Sequence, residues 1–110
     1  MKIALGCDSR GGIAATFAEI TEFRLYEITS GRVTERTTLH PAACGAAGRG
    51  RFLFECGVDL LICGRVARAE YAALDGQGLR VVGGVSGTDD PVLNAYLAGE
   101  LELRRDFLYD

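Results

Sequence analysis

Four cysteines and a single histidine are the residues of this chain best suited to hold a metal. They stand at Cys7, His40, Cys44, Cys56 and Cys63. No two cysteines form a C-x-x-C pair, so the spacing matches neither a zinc ribbon nor a thioredoxin-type redox site. Thiolates are soft ligands that select iron and its sulfide clusters, and imidazole is a common companion. Cys7 and Cys63 also read as small core hydrophobes, because each sits in an apolar stretch and free cysteine is among the most buried residue types. Which reading holds depends on where the fold brings these side chains.

The pattern of apolar residues supplies the elements. Lys2 to Cys7 reads as a buried strand with Ile3, Leu5 and Cys7 on one face. Asp8 to Thr21 has weak periodicity and contains Ser9-Arg10-Gly11-Gly12, so it reads as a long loop, a type that is often functional. Its composition predicts mobility in the absence of a ligand. Glu22 to Thr29 is a second strand, Ser30-Gly31 a turn, and Arg32 to Leu39 a third strand whose alternating polar residues suit a sheet edge. A helix is predicted from Ala46 to Cys56, stopped by Gly57. Val58 to Cys63 is an interior strand. A second helix is expected to bury Val66, Ala69, Ala73 and Leu74. Leu79 to Val82 is a fifth strand, followed by the glycine-rich loop Gly83 to Gly87. A third helix begins near Thr88 to Pro91 and buries Val92, Leu93, Tyr96 and Leu97. The domain covers residues 1–110, with a core over 1–101 and a short tail over 102–110.

The order β-β-β-α-β-α-β-α makes strands two and three a hairpin and the later helices right-handed parallel crossovers. The sheet is therefore mixed, with the first strand central and the second antiparallel. Strands one, three, four and five then end at one edge, where ligands of open α/β sheets bind. Cys7, His40, Cys44 and Cys63 fall at that edge as candidate metal ligands, whereas Cys56 falls at the opposite one. The same edge receives the helix N-termini, whose amides and partial positive charge favour an anionic ligand. Arg10 and Arg49 add cationic groups, and Arg51 is a further candidate. Gly11, Gly12, Gly45, Gly64, Gly84, Ser86 and Gly87 let the backbone approach a bulky ligand closely. Each has a plainer reading: His40 as a partner of the helix start at Pro41, the arginines as solvated helix residues, the glycines as tight turns.

Composition narrows the classes of function. A chain of 110 residues is one domain's worth, and 48% hydrophobic with 25% charged residues describes a folded globule. A net charge of −3 argues against a nucleic-acid binder, which needs a basic face for phosphates. No apolar run is long enough to span a membrane, and Asp8 interrupts the N-terminus too early for a signal peptide. The expected location is the cytoplasm, where thiols stay reduced.

Three segments together resemble the dinitrogenase iron–molybdenum cofactor biosynthesis family. They are Met1-Lys2-Ile3-Ala4, then Cys56-Gly57-Val58-Asp59-Leu60-Leu61-Ile62-Cys63-Gly64, then Ser86-Gly87-Thr88 followed by Ala95-Tyr96-Leu97-Ala98-Gly99-Glu100-Leu101. The resemblance implies an α/β, ribonuclease H-like three-layer fold with a five-stranded mixed sheet of order 3-2-1-4-5 and three helices. It implies a non-catalytic carrier or scaffold for an iron–molybdenum cofactor or its iron–sulfur precursor cluster, working between donor and acceptor proteins. One departure stands out. Where the family often has His-Phe-Gly-Arg in the first loop, this chain has Thr16-Phe17-Ala18-Glu19. That absence favours a rival reading, a metal-free interaction or regulatory module. A third reading is a nuclease-like enzyme that gathers carboxylates around divalent metals, with Asp8, Asp59 and Glu27 as the acids to consider.

Overall fold

The strand Lys2–Cys7 (β1) lies at the centre of the molecule, and Ile3, Ala4, Leu5 and Cys7 on it are all 0% exposed. Burial on both faces explains why it reads as a nearly continuous apolar run. The structure, a computed structural model, describes residues 1–40, 45–101 and 107–109.

Beside β1 runs the hairpin of β2 (Glu22–Thr29) and β3 (Arg32–Leu39), antiparallel throughout. Its two-residue turn needs positive φ at both positions, and Ser30 (φ 54°) and Gly31 (φ 76°) supply it. The register shifts between Glu27 and Ile28. On the other side β1 pairs in parallel with β4 (Leu60–Ile62), which pairs in parallel with the strand Arg80–Val82. A two-residue strand β5 (Val66–Ala67) intervenes in the chain, so Arg80–Val82 is β6. The sheet order is β3-β2-β1-β4-β6, the expected 3-2-1-4-5 once the short β5 is counted.

Helices α1 (Ala46–Glu55), α2 (Arg68–Gly76) and α3 (Asp89–Leu97) complete three layers. Leu53 of α1 and Leu74 of α2 pack with Ala4, Phe23, Leu61 and Cys63 on one face. Val92 and Leu93 of α3 pack with Ile3, Leu5, Cys7, Leu60 and Ile62 on the other. Among the described residues, no helix is long and apolar enough to cross a membrane.

Three expectations need correcting. Val66 lies in β5 and the helix starts only at Arg68, so Val66 is no part of its face: Leu74 is buried but Ala69 is exposed. The loop Asp8 to Thr21 is tied down rather than loose. Its amides at Asp8, Ile13, Ala14, Phe17 and Thr21 donate to Gly12, Gly87, Gly6, Arg65 and Cys7, and it buries Ile13, Ala14, Phe17 and Ile20. Finally, part of the expected tail returns to the core. Leu108–Tyr109 (β7) pairs in parallel with β5, and Phe107 packs against the α1–α2 side.

Candidate functional site

The carboxyl ends of β1, β4 and β6 do open onto a cleft, of about 520 Å³. Much of its lining is main chain and small side chains, at Ala15, Gly64, Gly84 and Ser86, together with Ile13 and Val85. Arg65 and Phe107 contribute its two long side chains. Glycine at 64 is forced by packing, since a Cβ there would overlap the carbonyl oxygens of Ala14 and Ala15. Gly84 holds a left-handed φ of 73° and donates its N–H to the Gly64 carbonyl at 2.9 Å. The Arg65 guanidinium lies 5.2 Å from the centre of the Tyr109 ring, a cation–π contact at the lip.

Of the proposed binding residues, Gly64, Gly84 and Ser86 line this cleft. Gly12 and Gly87 lie next to it and face each other so closely that a Cβ on Gly12 would stand 3.1 Å from the Gly87 oxygen. Gly11 has φ 87° and serves the turn after β1. Arg10 is exposed, and its amide donates to Asp8 Oδ1 at 2.8 Å. Gly45 is the exposed residue preceding α1. Arg49 instead ties α1 to the first loop: Nη1 donates to the Phe17 carbonyl at 3.0 Å, and the guanidinium lies 5.4 Å from the centre of the Phe17 ring. Its Nε is buried without a hydrogen-bond partner. Arg51 is paired with Glu55 on the exposed side of α1. Arg65 and Phe107 were not anticipated. Arg65 directly follows Gly64 at the carboxyl-end edge of the sheet, a placement that could have singled it out. Phe107 carries no such signal.

The expected ligand set does not assemble among the described residues. Cys7 and Cys63 are both 0% exposed, but they lie in the cores on opposite faces of the sheet. The register explains this. Leu5 stands opposite Ile62, so Cys7, two residues on, has the parity of position 64 and not of Cys63. Burial pushes the Cys63 thiol up to about 12, with Glu70 adding to the rise. Burial likewise pushes Cys7 up to about 11, with Asp89, Glu22 and Asp8 raising it further against the lowering influence of Arg24. What sets them apart as ligands is their place: each is enclosed in its own core, with the sheet between them. His40 is exposed beyond the outermost strand, and Cys44 lies outside the described residues. Among the described residues, no three Cys, His, Asp or Glu side chains are grouped to hold a metal ion. The nuclease arrangement is absent in the same sense. Asp59 accepts the Lys2 amide at 2.9 Å beyond the far edge, and Glu27 faces the N-terminal ammonium at 3.8 Å.

A family model, dinitrogenase iron-molybdenum cofactor, matches residues 1–99. The chain belongs to the dinitrogenase iron-molybdenum cofactor family. Its fold is shared with PH0822, at 22% identity and a TM-score of 0.86, covering 97% of this chain and 99% of that one. The apo form of the orange protein from Desulfovibrio gigas is similar at 18% identity and a TM-score of 0.77, over 94% and 92% of the two chains. A comparison with curated proteins finds no match. Within the dinitrogenase iron-molybdenum cofactor family pattern, the departure at Thr16 to Glu19 now has a structural account. Thr16 Oγ1 donates to Glu19 Oε1 at 2.9 Å across the 3-10 turn Phe17–Glu19. The two side chains standing in place of histidine and arginine bond to each other.

Proposed function

We propose that this family member is a non-catalytic carrier whose cargo is a preformed, anionic metal–sulfur cluster of the iron–molybdenum or iron–sulfur type. The cargo is held in the cleft by Ser86 and by Arg65, against the close-packed main chain of Gly64 and Gly84, not by buried thiolates. The observation that carries this reading is the cleft at the carboxyl ends of β1, β4 and β6, with one arginine at its lip. A hydroxyl and a guanidinium suit an anion that already has its own sulfide ligands. A carrier of this kind works in the cytoplasm between a protein that delivers the cluster and one that accepts it.

The test is metal content after purification without oxygen, followed by reconstitution with ferrous iron and sulfide. Cluster absorption is expected, retained in a Cys7→Ala/Cys63→Ala variant and bound about tenfold more weakly by Arg65→Glu. Absence of both metal and absorption would overturn the carrier reading. A loss confined to Cys44→Ala would return the holding role to thiolate ligation. The mutual bond of Thr16 and Glu19 favours a second reading, a metal-free regulatory module, and a metal-free protein that still captures a partner would support it.

A further inference from the structure

We propose that Phe107 decides what the cleft admits, and that the segment it leads into is a wall that yields while the rest of the lining does not. This rests on the cleft being the binding site, and it adds the residue that controls entry.

The rest of the lining is fixed by short main-chain bonds. Arg65 N–H donates to the Ala15 carbonyl, Gly84 N–H to Gly64 and Val85 N–H to Cys63, at 2.9, 2.9 and 3.0 Å. Gly64 and Val85 are buried, and Gly64 has no room for even one added carbon. The Phe107 side is built differently. Phe107, Leu108 and Tyr109 are only half-buried. They are held by a two-residue parallel ladder to β5 and by the Val66 amide donating to the Phe107 carbonyl at 2.9 Å. The Phe107 ring meets Tyr71 edge-on at 5.7 Å, and Tyr109 carries the Arg65 guanidinium. Phe107 and Leu108 pack on the core only from its outer side, and the ladder is two residues long, so this segment belongs to the low-stability end of the molecule.

Glycine at 83 shows how the ring controls access. Phe107 lies where a Cβ at position 83 would go, flush against the end of β6. Swinging the ring away uncovers the Gly83 main chain and widens the cleft beside Gly84.

Hydrogen exchange on the full chain reads the wall without any cargo. The Val66 amide is expected to exchange about tenfold faster than those of Arg65 and Gly84. Phe107→Ala, and independently Gly83→Ala, whose added carbon expels the ring, should accelerate Val66 further and leave the other two unchanged. Equal protection at all three amides in every variant would overturn the proposal. With the iron–sulfide-reconstituted chain, loss of iron to a ferrous chelator is expected to be about tenfold faster for Phe107→Ala and unchanged for Phe107→Tyr, which keeps the ring. Equal rates for Phe107→Ala and the parent would also overturn it. A chain that takes up no cluster removes the carrier reading, while the exchange comparison still decides the wall.

Discussion

The two faces of the sheet are sealed by different means. Under α1 and α2 the seal is apolar, with Phe17, Phe23, Leu53, Leu61 and Leu74 almost wholly out of solvent. Under α3 an apolar core is joined at its rim by a polar network. Arg24 bonds to Asp89 at the start of α3 and to Glu22 at 2.9 Å, and the Tyr26 hydroxyl donates to Asp89 at 3.2 Å. The difference teaches where charge is free to serve a ligand. Arg24 is committed to holding α3 onto β2, whereas Arg65 rests on an aromatic ring at an open lip.

The largest effect should come from the apolar face. Leu74→Ala is expected to cost about 3 kcal/mol, with the same loss at pH 4 and pH 7, measured by urea unfolding. A pH-dependent loss would erase the contrast between the faces.

Next is the rim of the α3 face. Burial alone would raise the Asp89 pKa, but the Arg24 hydrogen bond, the Asp90 amide, the Arg24 charge and the Tyr26 hydroxyl together hold it below the ordinary 3.8. The folded state thus binds this proton less readily than the unfolded chain does. The stabilisation is complete above the unfolded value and disappears as pH falls through the folded one. Arg24→Met should cost about 2 kcal/mol at pH 7, and Asp89→Asn should flatten the acid limb of the stability curve. An unchanged acid limb in Asp89→Asn would show that the network does not distinguish this face.

A smaller effect reports the two thiols. For Cys63, raised from 9.0 to about 12, the unfolded chain loses its proton first. Stability is therefore intact below pH 9 and declines as pH rises towards the folded value. The decline should be about 1 kcal/mol between pH 9 and 10 for this thiol, and Cys63→Ala should remove that share. Cys7 and Tyr26, raised to about 11 and about 12, add to the same alkaline limb from the opposite face. The smallest effect is at Arg51, whose pair with Glu55 is exposed on both sides, so Arg51→Ala should stay within about 0.5 kcal/mol.

Much of the fold was legible in the sequence because it rests on local signals. Ser30-Gly31 between two alternating runs announced the hairpin, and helices between apolar strands announced parallel crossovers. The candidate site was legible only as an edge. Alternation places side chains within one strand, but the register of β1 against β4 is tertiary, and it alone puts Cys7 and Cys63 on opposite faces. Ala69 was misplaced because Val66, counted into its helical face, belongs to β5, and the inward face of the helix is marked by Leu74 alone among its buried residues. Phe107 was out of reach, since its partners Gly83, Tyr71 and Val66 are distant in sequence.

The parallel pairing of β1 with β4 also governs how the chain comes together. The hairpin closes across two residues, but Ile3 must wait for Leu60 before its strand has a second neighbour. Closing the longer stretch costs more entropy and sets the slower step. Until then the greasiest ribbon in the molecule has one unpaired margin, the kind of exposed edge that recruits other chains. Crowding during refolding, more than heat applied to the finished molecule, is where aggregation should first be seen.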